Sequence, residues 1–153
     1  MTKKITLEFP EININVKAQL LEKEEPELSK EFWSIIGSPL KHVCQHTLST
    51  GQFFIGRPRP PKEPRKVGSQ ANPIGRKSPM LSQLKPGMFI YEGLSVYMCY
   101  GPHITEPLLS GGSVVAQVYE EDLDKLMEAG KYVWNAQYFT HKVPIMTIYR
   151  EKE

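Results

Sequence analysis

Apolar residues at every second position dominate this chain. Ile5, Leu7 and Phe9, then Ile12, Ile14, Val16, Ala18 and Leu20, alternate with polar neighbours and break near Phe9-Pro10-Glu11. Period two sends successive side chains to opposite faces of a strand, so this spacing predicts two half-buried strands in a hairpin. The same signal predicts a strand pair in KHVCQHTLS and GQFFIG, and another in GMFIYEG and LSVYMCYGP joined at Glu92-Gly93. Single strands are predicted in GGSVVAQVY and KVPIMTIYR. Two stretches keep helical spacing instead. Leu28, Phe32, Ile35 and Ile36 behind Pro26 predict a helix over 25–37, stopped by Gly37 and Pro39. Leu123, Leu126, Met127, Val133 and Trp134 predict one over 120–136, with Glu120, Glu121 and Asp122 at the positive end of its dipole. Seven or eight strands in hairpins with two helices imply a mainly β domain over 1–153, an antiparallel barrel or sandwich with helices at its ends.

Residues 57–79, RPRPPKEPRKVGSQANPIGRKSP, break the pattern. Repeated prolines exclude a helix and a central strand, which predicts a long irregular surface loop, a candidate lid. Seven basic residues and one acid lie between Arg57 and Lys77, in a chain whose net charge is only +2. A general pull toward nucleic acid or acidic membrane is therefore not indicated. The loop has no aromatic residue on which bases could stack, which disfavours nucleic acid as a partner. Three readings are open for it: a nucleic-acid surface that holds phosphates, which the missing aromatics disfavour, a lid whose Arg57, Arg59 or Arg76 meets a carboxylate with paired hydrogen bonds, or a solvated or oligomer-contact segment. No apolar run approaches a membrane span, and the N-terminus does not read as a secretory signal. Cys44 and Cys99 sit in strand-like runs and read as buried free thiols, which fits a cytoplasmic protein.

The candidate chemistry begins with CQHTLSTGQFFIG. Alternation puts Cys44, His46 and Leu48 on one inward face. An inward histidine either satisfies a packed core or serves as ligand contact and general base, its pKa being near neutrality. Ser49 should face away from it. Phe89 and Tyr91 share one strand face, and Tyr97, Tyr100 and His103 follow. Such rings are either cross-strand packing or the wall and hydroxyl of a small-molecule site. Trp134 reads as a core cap or a lid on the barrel mouth, with Gly130 one turn earlier allowing close approach. His42, His46, His103 and His141 are too scattered for a metal set, so no metal or cofactor is expected.

KAQLLEKEEPELSKEFWSIIGSPL, HTLSTGQFF, LKPGMFIYEGLSVYMCYGP and GGSVVAQVYEEDLDKLMEAGKYVWNAQ, in that order, resemble the bacterial cyclophilin-like group known as DUF3830. The resemblance covers most of residues 3–137 and implies a closed eight-stranded barrel capped by two helices. Its members look like small cytoplasmic proteins, often dimeric. Related barrels occur in enzymes acting on ureido and lactam compounds and in cucumopine synthase. Gln52 stands here where the group usually has an acid, and the loop at 57–79 is longer and more basic. Prolyl isomerase activity is not expected, because CQHTLSTGQFFIG lacks the arginine that stabilises that transition state.

The expectation is a small-molecule ligand, polar and carboxylate-bearing, at the barrel mouth. His46 is the candidate catalytic residue, and Tyr91, Tyr100, Trp134, Arg57 and Arg76 are the contacts. The competing class is an interaction protein that uses the 57–79 loop. A homodimer or larger homo-oligomer is expected, since a long ordered loop needs a partner surface.

Overall fold

The computed structural model describes residues 2–62, 79–108 and 110–152. Among the described residues there are eight strands: β1 (Lys4–Phe9), β2 (Ile14–Leu20), β3 (Leu40–His46), β4 (Gly51–Pro58), β5 (Met88–Tyr91), β6 (Val96–Ile104), β7 (Ser113–Val118) and β8 (Ile145–Arg150). They form a closed barrel in the order β1-β2-β7-β5-β6-β4-β3-β8, antiparallel throughout. β1–β2, β3–β4 and β5–β6 are hairpin neighbours, as the alternation predicts. β7 inserts between β2 and β5, and β8 closes the ring between β3 and β1. The first hairpin turns through a short 3-10 helix, Pro10–Ile12, and Asn13 in the left-handed region. Glu92 fastens the β5–β6 turn, its Oε1 accepting the Leu94 N–H at 2.8 Å and the Ser95 N–H.

Helix α1 (Pro26–Ile35) follows β2 and helix α2 (Leu123–Asn135) follows β7, and the two close opposite mouths. At one mouth Phe32 meets Phe89 and Tyr91 edge-on at 5.4 and 5.1 Å. Arg150, at the end of β8, stacks on Trp33 and donates to the Trp33 carbonyl at 2.6 and 3.1 Å, which ties α1 to the barrel rim. At the other mouth Leu126, Ala129 and Val133 of α2 are buried. Asp122, just ahead of α2, accepts the Lys17 N–H of β2 at 2.8 Å. The interior is filled by alternate strand residues, among them Leu7, Phe9, Val16, Phe54, Phe89, Met98 and Ile148. It is a packed core, not a channel.

A second apolar layer lies outside the barrel. Leu81 and Leu84 cover Phe53, Ile90 and Cys99 on the outer face of β4, β5 and β6. Sequence reasoning did not find this layer, because Leu81 and Leu84 belong to no periodic run. β4 runs through Arg57 and Pro58, so the irregular excursion begins later than the composition predicts. Its residues 63–78, Arg76 included, lie outside the described residues. Cys44 and Cys99 are buried free thiols, as expected. Among the described residues no helix is long and apolar enough to cross a membrane.

Candidate functional site at the α2 mouth

β3 delivers an inward row of His42, Cys44 and His46, its alternation being intact from Leu40 onward. Leu48 does not continue that row. The strand ends at His46, and Leu48 is 78% exposed. His46 therefore sits at the α2 mouth, where the strand stops. The residue is 5% exposed, and its ring carries two hydrogen bonds. Nδ1 lies 2.7 Å from the Thr47 carbonyl oxygen, and Nε2 lies 2.6 Å from the Tyr100 hydroxyl. A carbonyl only accepts, so Nδ1 carries the proton and Nε2 accepts from Tyr100. Burial lowers the His46 pKa below its ordinary value, partly opposed by the Thr47 carbonyl, so the imidazole is neutral at pH 7. Burial likewise pushes the Tyr100 phenol up to about 12, which keeps its proton in place.

α2 builds the roof over this pair. The Trp134 indole meets the His46 ring edge-on at 4.8 Å and stays 37% exposed. Gly130 lies against Tyr100, and a Cβ there would overlap the Cγ, Cδ1 and Cδ2 atoms of the phenol ring. This is the close approach that the glycine predicts. Beyond Asn135 the helix widens into a π-helical turn, Ala136–Thr140, a feature often found at functional sites. That turn contributes two residues absent from the sequence expectation. Gln137 Oε1 accepts the His46 backbone N–H at 2.6 Å. Tyr138 packs on Trp134 at 4.2 Å, with its hydroxyl oxygen buried and without a hydrogen-bond partner. The run AQYFT contains no Gly or Pro, a signal that the helix could continue past 136.

The other expected contacts lie elsewhere. Tyr91 is fully buried against Phe32 at the α1 mouth, and its hydroxyl donates to the Gly93 carbonyl at 3.1 Å. It faces inward, as alternation predicts, but at the opposite end of the barrel from His46. Arg57 is exposed near the end of β4 that lies toward α1, three residues past Phe54, the partner of His46. Burial and then Glu92 raise the pKa of the Tyr97 phenol, and Arg57 partly opposes them. Ser49 turns away from His46 and donates to Glu106. Gln52 fills the notch at Gly101, accepting the His103 N–H at 3.1 Å. No cluster of His, Cys, Asp or Glu among the described residues could hold a metal ion.

No protein-family profile matches the chain, and no curated protein matches it. The chain is similar to the solved structure of McbB in complex with tryptophan, with a TM-score of 0.82 and 26% sequence identity. That likeness covers 97% of this chain and 45% of McbB, so the chain spans less than half the length of its relative. The likeness agrees with a cyclophilin-like fold, an eight-stranded closed antiparallel barrel capped by two helices.

Proposed function

We propose that this chain binds a small carboxylate-bearing metabolite of amino-acid size at the α2 mouth, against His46, Tyr100, Trp134 and Tyr138. The observation that carries this reading is the hydrogen-bonded His46–Tyr100 pair under the Trp134 indole, on whose ring packs Tyr138 with a buried, unpartnered hydroxyl. A buried hydroxyl left unpaired costs about 1–3 kcal/mol, and a ligand oxygen that accepts from it would recover that cost. Trp134 supplies the flat apolar wall, and His46 Nε2 is in the form that accepts a proton. The likeness to McbB bound to tryptophan supports an amino-acid-sized ligand. Ligand entry requires the Trp134–Gln137 roof to lift, since His46 and Tyr100 are both covered. The DUF3830 resemblance belongs to the same reading, because a barrel with two caps is what it implies.

The test is a thermal-shift screen over amino acids, keto acids and ureido acids, repeated with His46→Ala and Tyr138→Phe. At least one ligand should raise the melting temperature of the parent protein, and its affinity should fall about tenfold or more in each variant, the scale of one lost buried hydrogen bond. A ligand whose affinity survives both substitutions would place the site elsewhere. A screen with no ligand at all would leave the α2 mouth a packed cap.

We also propose a homodimer. Val43 of β3, Phe139 of the π-helical turn and Val143 just ahead of β8 are exposed at 47, 67 and 62%. A paired chain would remove these side chains from water.

A further inference from the structure

A groove of about 410 Å³ lies on the outer wall of the barrel, away from the His46 mouth. Its floor is a row of outward side chains across three neighbouring strands. Gln19 of β2 pairs with Gln117 of β7, which pairs with Met88 of β5. Val114, Leu21 and Pro79 make its apolar walls, and Glu24 and Glu25 stand at the turn that follows β2. The volume is within the range of small-molecule sites.

The groove is rich in hydrogen-bond acceptors. Gln117 Nε2 donates to the carbonyls of Pro86 and Val118 at 3.1 and 3.2 Å, which commits its donors and leaves Oε1 as the group able to accept. Glu24 adds a carboxylate, and no Lys, Arg or His lines the groove among the described residues. Neighbouring Glu22 is engaged by Lys3, through its ammonium at 3.4 Å and its backbone N–H at 3.2 Å. A metal ion is a poor occupant, since no metal-holding cluster exists among the described residues and three of the walls are apolar. A carboxylate ligand would face the Glu24 carboxylate.

We propose that this groove binds a small molecule that carries an ammonium group on a flat apolar body. The ammonium donates to the Glu24 rim and to Gln117 Oε1. The apolar body lies on Leu21, Met88 and Val114. The site is separate from the His46 mouth, so the two readings stand or fall independently.

The test uses 2-phenylethylamine and 3-phenylpropionate as probes, titrated at low ionic strength and followed by the side-chain amide NMR signals of Gln19 and Gln117. Phenylethylamine should shift both signals saturably and bind at least about fivefold more tightly than phenylpropionate, the scale of one charge-assisted hydrogen bond. Glu24→Gln should remove most of that preference, Val114→Trp should abolish binding by filling the groove, and His46→Ala should change nothing. If Val114→Trp fails to fold, the Glu24→Gln comparison still decides. Equal binding of the two probes, an unaltered preference in Glu24→Gln, or no saturable shift by about 10 mM, a bound at the weak end of ligand affinities, would each overturn the proposal. So would loss of amine binding in His46→Ala.

Discussion

His42 and His46 lie four residues apart on the inward row of β3, and both are held neutral by the cost of burying a charge. His42 is fully buried. It contacts the Leu40 carbonyl through Nδ1 at 3.0 Å, while Nε2 has no partner. Burial takes its pKa to about 4, against partial opposition from the Leu40 and Met146 backbone. The unfolded chain takes up the proton first, near pH 6.5, so native stability is full above that value. It should fall between pH 6.5 and 4 by roughly 3 kcal/mol and then level off. Urea midpoints measured from pH 4 to 8 should show this loss, and His42→Asn, whose amide can still reach Leu40, should flatten it. An unchanged pH slope in the variant would mean that other groups carry the acid sensitivity. Tyr100→Phe tests the neighbouring bond. It leaves His46 Nε2 buried without a donor and should cost about 1–2 kcal/mol by urea titration. A neutral effect would mean that water already satisfies that nitrogen.

At the scale of elements, α2 is seated by Gly130 on Tyr100. Alanine at 130 would gain up to about 1 kcal/mol of helix propensity. Overpacking a buried contact costs about 1–3 kcal/mol, and the Tyr100 ring cannot yield without breaking its bond to His46. Gly130→Ala should therefore destabilise the protein, and the loss should shrink when Tyr100 is also replaced by Leu, as a double-mutant cycle in urea would show. Additive losses would mean that helix and ring do not press on each other. The strands were legible because each has one face in the core, so alternation survives in the sequence. The inward position of His46 was legible for the same reason. Which mouth each residue serves was not. Tyr91 and Tyr100 look alike along the chain, but strand direction sends one under α1 and the other under α2. Gln137 and Tyr138 were missed because the apolar spacing of α2 ends at Trp134, while the backbone turns on through a π-helical segment.

At the scale of the molecule, the order of strands depends on two long-range insertions, β7 and β8, which no local pattern encodes. The sequence argues for a homodimer only through the 57–79 loop, while Phe139 and Val143, the patch proposed here, read along the chain as ordinary apolar positions. Light scattering should give twice the 17.5 kDa of one chain, and Phe139→Asp combined with Val143→Asp should return it to a single chain without unfolding. A monomer in the unmodified protein would contradict the proposed dimer. The central claim, a ligand held at the α2 mouth, is tested most directly by the imidazole ¹⁵N signals of His46, with L-tryptophan as probe. In the free protein at pH 7, Nδ1 should appear protonated and Nε2 bare. Added tryptophan should move the Nε2 signal saturably, together with the indole signal of Trp134. Binding that leaves both signals in place while moving others, or no binding at all, would contradict the claim.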